Sequence, residues 1–176
     1  MLEIDILAPL RFFYGLASRD LPVTFVPPEA LPERDRHLLA HSQDMTSRLA
    51  DFHGSGLILD AQASTRMGDY LVRCSVLRRK DTHAPVEFGA IGIDLGCFAD
   101  EPRLRVLEAR IPLGGLLQHY SIPFTSHPRG YFQIVIDHRL EDLLQGEPGQ
   151  ILYGRCNELR QPDGRVIAEV AEILPR

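Results

Sequence analysis

Two short turns between extended runs constrain the fold of this chain more than any other feature. Residues 80–85 are polar and contain a proline, and they lie between two apolar runs of about ten residues. Residues 161–164 (Gln-Pro-Asp-Gly) occupy the same kind of position near the end of the chain, and Gly164 can adopt the positive φ that such a turn needs. Parallel strands require a crossover of a dozen residues or more, so both turns predict antiparallel hairpins.

The remaining pattern predicts an α+β domain with one antiparallel sheet, a few helices on it and an internal ligand cavity. Apolar and polar residues alternate from Leu57 onward, as a strand with one buried face requires. Asp44 can cap a helix that Gly54 ends. The predicted strands are 57–64, 70–79, 86–95, 131–136, 151–160 and 165–173, and the predicted helices are 32–39, 44–54, 112–120 and 138–144, with a loop around 101–103.

Length and charge restrict the class of partner. A chain of 176 residues fits one domain, assigned here to residues 1–176, with residues 1–40 as an irregular, proline-rich arm. The net charge of -5 and the pI of about 5.8 argue against a nucleic-acid partner, because phosphate binding needs a concentrated positive field. The three cysteines lie far apart, and neither a signal peptide nor a membrane span is expected, so a cytoplasmic protein with a small-molecule partner is predicted.

One arginine interrupts a predicted strand that is apolar on both faces. Arg73 shares a face with Leu71 and Leu77, while Val72 and Cys74 occupy the other face. A buried arginine stays charged and needs an anion, which can be a carboxylate of the protein or of a ligand. Both interpretations remain open, with the structural ion pair slightly favoured.

The last predicted strand contains two glutamates of opposite parity. Glu172 shares a face with Val170, and Glu169 lies on the face of Ala171. One of these carboxyls should therefore lie among apolar side chains, where desolvation raises its pKa and makes it a candidate proton donor. The alternative is that both are hydrated or paired with arginines.

The sequence contains no motif for a metal site, a catalytic nucleophile or a nucleotide-binding site. The seven histidines contain no HxH or HExxH spacing, so no metal is expected. A GxSxG nucleophile motif, a phosphate-binding loop and a dinucleotide fingerprint are also absent, and no cofactor is predicted. Arginine, glutamate and backbone amides remain, a set suited to an elimination reaction or to binding alone.

Four segments together resemble the chorismate pyruvate-lyase family, whose members make 4-hydroxybenzoate, and the wider chorismate lyase-like superfamily. The four segments are Asp44-Met45-Thr46-Ser47-Arg48-Leu49, Tyr70-Leu71-Val72-Arg73, Ile111-Pro112-Leu113-Gly114, and Tyr153-Gly154-Arg155 with the terminal Glu169–Pro175 strand. Their order and spacing agree with the family over roughly residues 38–175. Counting from Gly164 without a gap, however, places Ala171 at the position of the family's glutamate.

This resemblance implies a closed cavity and a monomeric, cofactor-free lyase that eliminates pyruvate from chorismate. Arg73 would hold a substrate carboxylate, with Glu172 or Glu169 as the catalytic acid. The amides near Met45, Leu113 and Gly114 would bind anionic oxygens, and Arg155 either binds a second carboxylate or has a structural role, the latter being favoured. Ligand-binding domains of bacterial repressors share the fold, so a non-catalytic protein that binds an aromatic acid is the alternative.

Overall fold

The computed structural model describes residues 5–15 and 21–176, and in them the chain forms six α-helices and one seven-stranded sheet. The helices are α1 (Ala8–Tyr14), α2 (Glu33–Leu39), α3 (Met45–His53), α4 (Asp100–Glu108), α5 (Leu113–His119) and α6 (His138–Leu144). The strands are β1 (Val23–Val26), β2 (Leu57–Met67), β3 (Tyr70–Arg79), β4 (Pro85–Asp94), β5 (Thr125–Val135), β6 (Ile151–Arg160) and β7 (Val166–Leu174). Short 3-10 helices are formed by Pro28–Ala30 and Leu95–Cys97.

All neighbouring strands of this sheet are antiparallel, in the order β1-β5-β6-β7-β4-β3-β2. The predicted α+β class with a single antiparallel sheet is therefore confirmed. The turn 80–85 joins β3 to β4, and the turn 161–164 joins β6 to β7. Gly164 has a φ of 88°, the positive value that the sequence predicted for this turn.

Two parts of the sequence prediction need correction. Residues 101–103 were expected in a loop but lie in the first turn of α4, where Pro102 is tolerated because the amides of that turn have no partner inside the helix. Residues 1–40 were expected to be an irregular arm apart from a short helix at 32–39; α2 confirms that helix, but the described part of the arm also contains α1 and β1. Residues 1–4 and 16–20 of that arm lie outside the described residues.

Two faces of the sheet pack against different helices. On one face, α1 and α6 cover a cluster that includes Phe88, Phe132 and Ile173. On the other face, which we call the cavity face, side chains of β3, β4, β6 and β7 contribute to two separate clusters. One contains residues of α4 and α5, and the other contains residues of α2 and α3.

The start of α3 shows how local sequence positions a helix over the cavity face. The Asp44 carboxylate accepts a hydrogen bond from the Ser47 amide at 2.9 Å, and Gly54 ends the helix with a φ of 58°. Both signals agree with the prediction from sequence. Met45, the first residue of α3, is thereby fixed above the sheet.

We expect Gly154→Ala to destabilise the protein by about 1–3 kcal/mol, the usual cost of overpacking a dense interior. A methyl group at Gly154 would overlap the backbone oxygen of Glu172 on β7 and the ring of Phe132, and neither the paired backbone nor this buried ring can shift easily. Urea unfolding monitored by circular dichroism measures the change.

The matched control is Gly115→Ala in α5, where the new methyl group would meet only a side-chain carbon of Ile111 at 3.9 Å. That variant should be as stable as the wild type or gain up to about 1 kcal/mol from helix propensity. Equal stability of the Gly154→Ala variant and the wild type would contradict the register between β6 and β7.

Candidate functional site

A cavity of about 60 Å³ lies on the cavity face, between the two apolar clusters and under the starts of α3 and α5. This volume is several times the ~10–15 Å³ that one water molecule needs. The cavity is lined by Asp44, Met45, Thr46, Leu59, Arg73, Ser75, Leu77, Glu87, Gly89, Ile91, Pro112, Leu113, Gly114, Asn157, Leu159, Val170 and Glu172. Its wall is mostly apolar with a few convergent polar groups, the usual composition of a small-molecule site.

Arg73 is a buried cation without a carboxylate partner among the described residues. Its side chain is held by β3, and the residue is only 3% exposed. Nη1 donates a hydrogen bond to the Val106 carbonyl of α4 at 3.2 Å, while Nε has no partner. Burial lowers the pKa of Arg73 to about 10, so the guanidinium is still charged at neutral pH. Of the two interpretations left open by the sequence, the structural ion pair is not found in the described part of the chain.

Arg155 and Glu172 form a buried ion pair beside the cavity. The two residues face each other directly across β6 and β7, and Arg155 Nε donates to Glu172 Oε2. Arg155 is fully buried, and its Nη1 also donates to the carbonyls of Leu39 and His41 at 3.1 and 2.9 Å. Arg155 thus makes a structural ion pair with Glu172, in agreement with the structural role that the sequence favoured for it. Glu172 lines the cavity, but its carboxylate is already engaged.

Glu87 is a further ionisable residue of the cavity, and it was not among the site residues expected from the sequence. It lies on β4, is 5% exposed, and its Oε2 has no hydrogen-bond partner among the described residues. Desolvation, followed by the nearby Glu172 carboxylate, raises the pKa of Glu87 well above its ordinary value. The rule that singled out Arg73, a charge within an apolar strand, applies equally to Glu87 and could have identified it.

Two buried carboxyls so close together cannot both be ionised easily. Burial also raises the pKa of Glu172, but the charge and hydrogen bond of Arg155 oppose that shift. Glu87 has no such cation at hydrogen-bonding distance among the residues described. Arg155 therefore favours ionisation of Glu172, and a proton shared by the pair is held preferentially by Glu87.

The starts of α3 and α5 lie at the cavity. The resemblance to the lyase family had implied that their amides bind anionic oxygens. Met45, Leu113 and Gly114 all line the cavity. The carboxylate of Asp44, however, already caps α3 and lies so close to Gly114 that a β-carbon there would overlap it. An anionic oxygen of the protein itself therefore occupies this end of the cavity.

Glu169 lies on the opposite face of the sheet from Arg73. It is half-buried and accepts a hydrogen bond from the Tyr70 hydroxyl at 3.4 Å. The strand alternates its faces, so Glu172 enters the cavity and Glu169 does not. Of the residues proposed from the sequence, the structure brings together Arg73, Glu172, Met45, Leu113 and Gly114, with Arg155 behind Glu172.

No group of three or more histidine, cysteine, aspartate or glutamate side chains suited to a metal ion occurs in the part of the chain that the structure describes. None of the described helices is both long and apolar enough to cross a membrane.

Comparison with known proteins finds a similar fold in solved bacterial structures. The sequence matches no family model and no curated protein. Among solved structures, the effector domain of PhnF from Mycobacterium smegmatis aligns with a TM-score of 0.59 and 15% identity over 75% of this chain and 88% of that domain. A gene product of Staphylococcus aureus subsp. aureus aligns with a TM-score of 0.57 and 5% identity over 77% of this chain and 90% of its own.

PhnF itself from Mycobacterium smegmatis aligns with a TM-score of 0.59 and 13% identity over 76% of this chain. The alignment spans 64% of the PhnF chain. None of the three is named as a chorismate lyase. At such low sequence identity these similarities show the shared fold alone. The ligand and any reaction must be inferred from the chemistry of the cavity.

We expect Glu87→Gln to be more stable than the wild type at neutral pH, by an amount that grows with pH. Below the ordinary pKa of 4.5 the Glu87 carboxyl is neutral in both the folded and the unfolded chain. Above it the unfolded chain releases the proton while the folded chain keeps it, so the wild type loses stability as pH rises toward the folded pKa. Glutamine is neutral throughout and avoids this loss.

Thermal unfolding of both proteins between pH 5 and pH 8 measures the difference, at roughly 2–4 °C for each kcal/mol in a domain of this size. Glu108→Gln, at a half-exposed carboxylate of α4, is the control and should change stability by less than about 0.5 kcal/mol. A Glu87→Gln variant that becomes less stable than the wild type as pH rises would show that Glu87 is an ionised, paired carboxylate.

Proposed function

We propose that this chain binds a small carboxylated metabolite in the cavity, with Arg73 as the residue that holds the carboxylate, and that it does so without a chemical reaction. The observation that carries the proposal is the buried, unpaired guanidinium of Arg73. Buried arginines are normally paired, and planar carboxylates match the donor geometry of a guanidinium. A ligand carboxylate would supply the missing anion.

The energetics of Arg73 support binding over a purely structural role. Its one hydrogen bond, to the Val106 carbonyl, does not balance a full positive charge. The carboxylates at the cavity are otherwise committed or neutral, because Glu172 pairs with Arg155 and Asp44 caps α3. The folded protein therefore carries an unfavourable charge that an anionic ligand would offset.

The size of the cavity favours a compact ligand. A dry cavity of about 150 Å³ is known to admit benzene, and the space here is about 60 Å³. An aromatic acid would need the walls to move apart. The part of the wall that does not belong to the sheet comes from α3 and α5, and Gln118 near the end of α5 donates to Ser47 in the first turn of α3 at 3.1 Å. We expect any widening to occur there.

Two observations favour binding over the chorismate lyase reaction. Glu172, the carboxyl nearest to the expected catalytic position, is held by Arg155 and is poorly suited to donate a proton. The name effector domain given to one structural neighbour also agrees with a ligand-binding role.

Elimination of pyruvate from chorismate is the second candidate, and Glu87 is the observation in its favour. A neutral carboxyl in the same cavity as Arg73 could donate a proton to the departing enolpyruvyl oxygen, in the role first assigned to Glu172 or Glu169.

Incubation with chorismate tests this second candidate. If the chain is a lyase, pyruvate and 4-hydroxybenzoate should accumulate, and Glu87→Gln should lower turnover by about 100-fold or more, the usual loss when a general acid is removed. Chromatography of the products provides the measurement. For a binding protein we expect no pyruvate above the spontaneous rate.

Arg73→Met tests the proposed binding function. The substitution keeps an unbranched stem and removes the cation, so affinity for carboxylates should fall by about 30-fold or more. Stability should stay equal or rise, because an unpaired buried charge is lost. Calorimetric titration with benzoate, 4-hydroxybenzoate and short aliphatic acids measures the affinity.

Arg78→Met is the matched control, since Arg78 lies on the same strand but pairs with Asp60 at 2.7 Å outside the cavity. It should bind as the wild type does. An Arg73→Met variant that binds these acids unchanged, or that unfolds, would contradict the proposal.

A further inference from the structure

We propose that the ligand carries a protonated amine as well as a carboxylate, with the carboxylate at Arg73 and the amine at Glu87. The inference rests on the proposed binding function and specifies the class of ligand that the cavity accepts. Glu87 would then be the residue that selects amino acids over simple carboxylic acids.

The cavity contains two groups with unsatisfied atoms, the guanidinium of Arg73 and the carboxyl of Glu87. In the described residues, five buried side-chain atoms have no hydrogen-bond partner, and they belong to Arg48, His53, Arg73, Glu87 and Arg155. Arg73 and Glu87 line the cavity, whereas the other three do not. A ligand with one anionic end and one donor end would satisfy both groups together.

The strand register places these groups toward opposite ends of the cavity. Arg73 lies opposite Ile91, and Glu87 lies opposite Leu77, so the two are four residues apart along the strands. At ~3.3 Å per residue, the backbone positions of Arg73 and Glu87 are offset by roughly 13 Å along the strands. The two side chains occupy part of that distance. The guanidinium end is further fixed by its bond to Val106 on α4. A short, extended ligand with its charges at the two ends fits this arrangement.

The charges around Glu87 favour an ammonium group over a hydroxyl group. The groups that face it are Glu172 on β7, Arg155 on β6, Asp44 before α3 and, at the far end of the cavity, Arg73. Arg155 balances Glu172, and Asp44 is held by the amide of Ser47.

An ammonium group beside Glu87 would let both glutamates ionise, because it adds the cation that the pair lacks. A hydroxyl would leave the proton on Glu87 and gain only a neutral hydrogen bond. Binding of the amine should therefore release a proton from Glu87 near neutral pH, whereas binding of a hydroxy acid should release none.

Calorimetry with three matched ligand series tests the proposal. The ligands are ω-amino acids from 3-aminopropanoate to 6-aminohexanoate, the ω-hydroxy acids of the same lengths, and the unsubstituted acids. The best amino acid should bind the wild type about 30-fold or more tightly than its hydroxy and unsubstituted counterparts, the usual worth of a buried charge pair. Titration in phosphate and in Tris buffer should show the proton release.

Two variants separate the roles of the charged groups. Glu87→Gln should reduce affinity for the amino acid by about 30-fold or more and leave the hydroxy acid within about threefold. Glu169→Gln, on the opposite face of the same sheet, should leave both affinities unchanged. Arg73→Met should weaken all three series.

The outcomes distinguish this inference from the proposed function. If simple acids bind in a manner that depends on Arg73, but amino acids gain nothing or the gain survives in Glu87→Gln, the inference is overturned and the binding function stands. If no ligand of the panel binds, or if binding is indifferent to Arg73→Met, the binding function and the inference are both overturned.

Discussion

The ion pair between Arg155 and Glu172 connects the sheet to the helices above it. Arg155 joins β6 to β7 through Glu172 and, through its second nitrogen, reaches the carbonyls of Leu39 and His41 between α2 and α3. A fully buried arginine with these partners fixes where α3 begins, and α3 in turn forms part of the cavity wall. Removal of one partner from such a buried pair typically costs about 3–5 kcal/mol, because the remaining charge has no compensation.

The same pair determines which charges are left over in the cavity. Since Arg155 neutralises Glu172, the cavity retains Arg73 at one end and Glu87 at the other, each with an unsatisfied atom. A buried polar atom without a partner destabilises the folded protein. The apolar clusters around the cavity must offset the destabilisation by Arg73 and Glu87. Groups of this kind occur where a ligand completes the structure, which is why the proposed function follows from Arg73 and Glu87 and not from the fold.

Much of the fold was predictable from sequence because turn chemistry and alternation both operate locally. β3, β6 and α6 have the predicted bounds, and Asp44 and Gly54 limit α3 as expected. The pairing of Arg155 with Glu172 was not predictable. The register of β6 and β7 shifts by one residue between Leu159 and Arg160, and without that irregularity Arg155 would face Ala171. Alternation of polar and apolar residues does not reveal such a bulge, so counting from Gly164 without a gap placed Ala171 at the position that Glu172 occupies opposite Arg155.

The opposite face of the sheet shows that unpaired charges are not a general property of this protein. Glu158 is buried there as deeply as Glu87, yet it pairs with Arg160 and with Arg129. Glu169, its neighbour across β6 and β7, receives the Tyr70 hydroxyl. On this face, the chain supplies a partner for each of these two carboxylates from its own residues. Arg73 and Glu87 differ from these carboxylates because their unsatisfied atoms belong to residues that line the cavity, as expected for groups whose partner is a ligand.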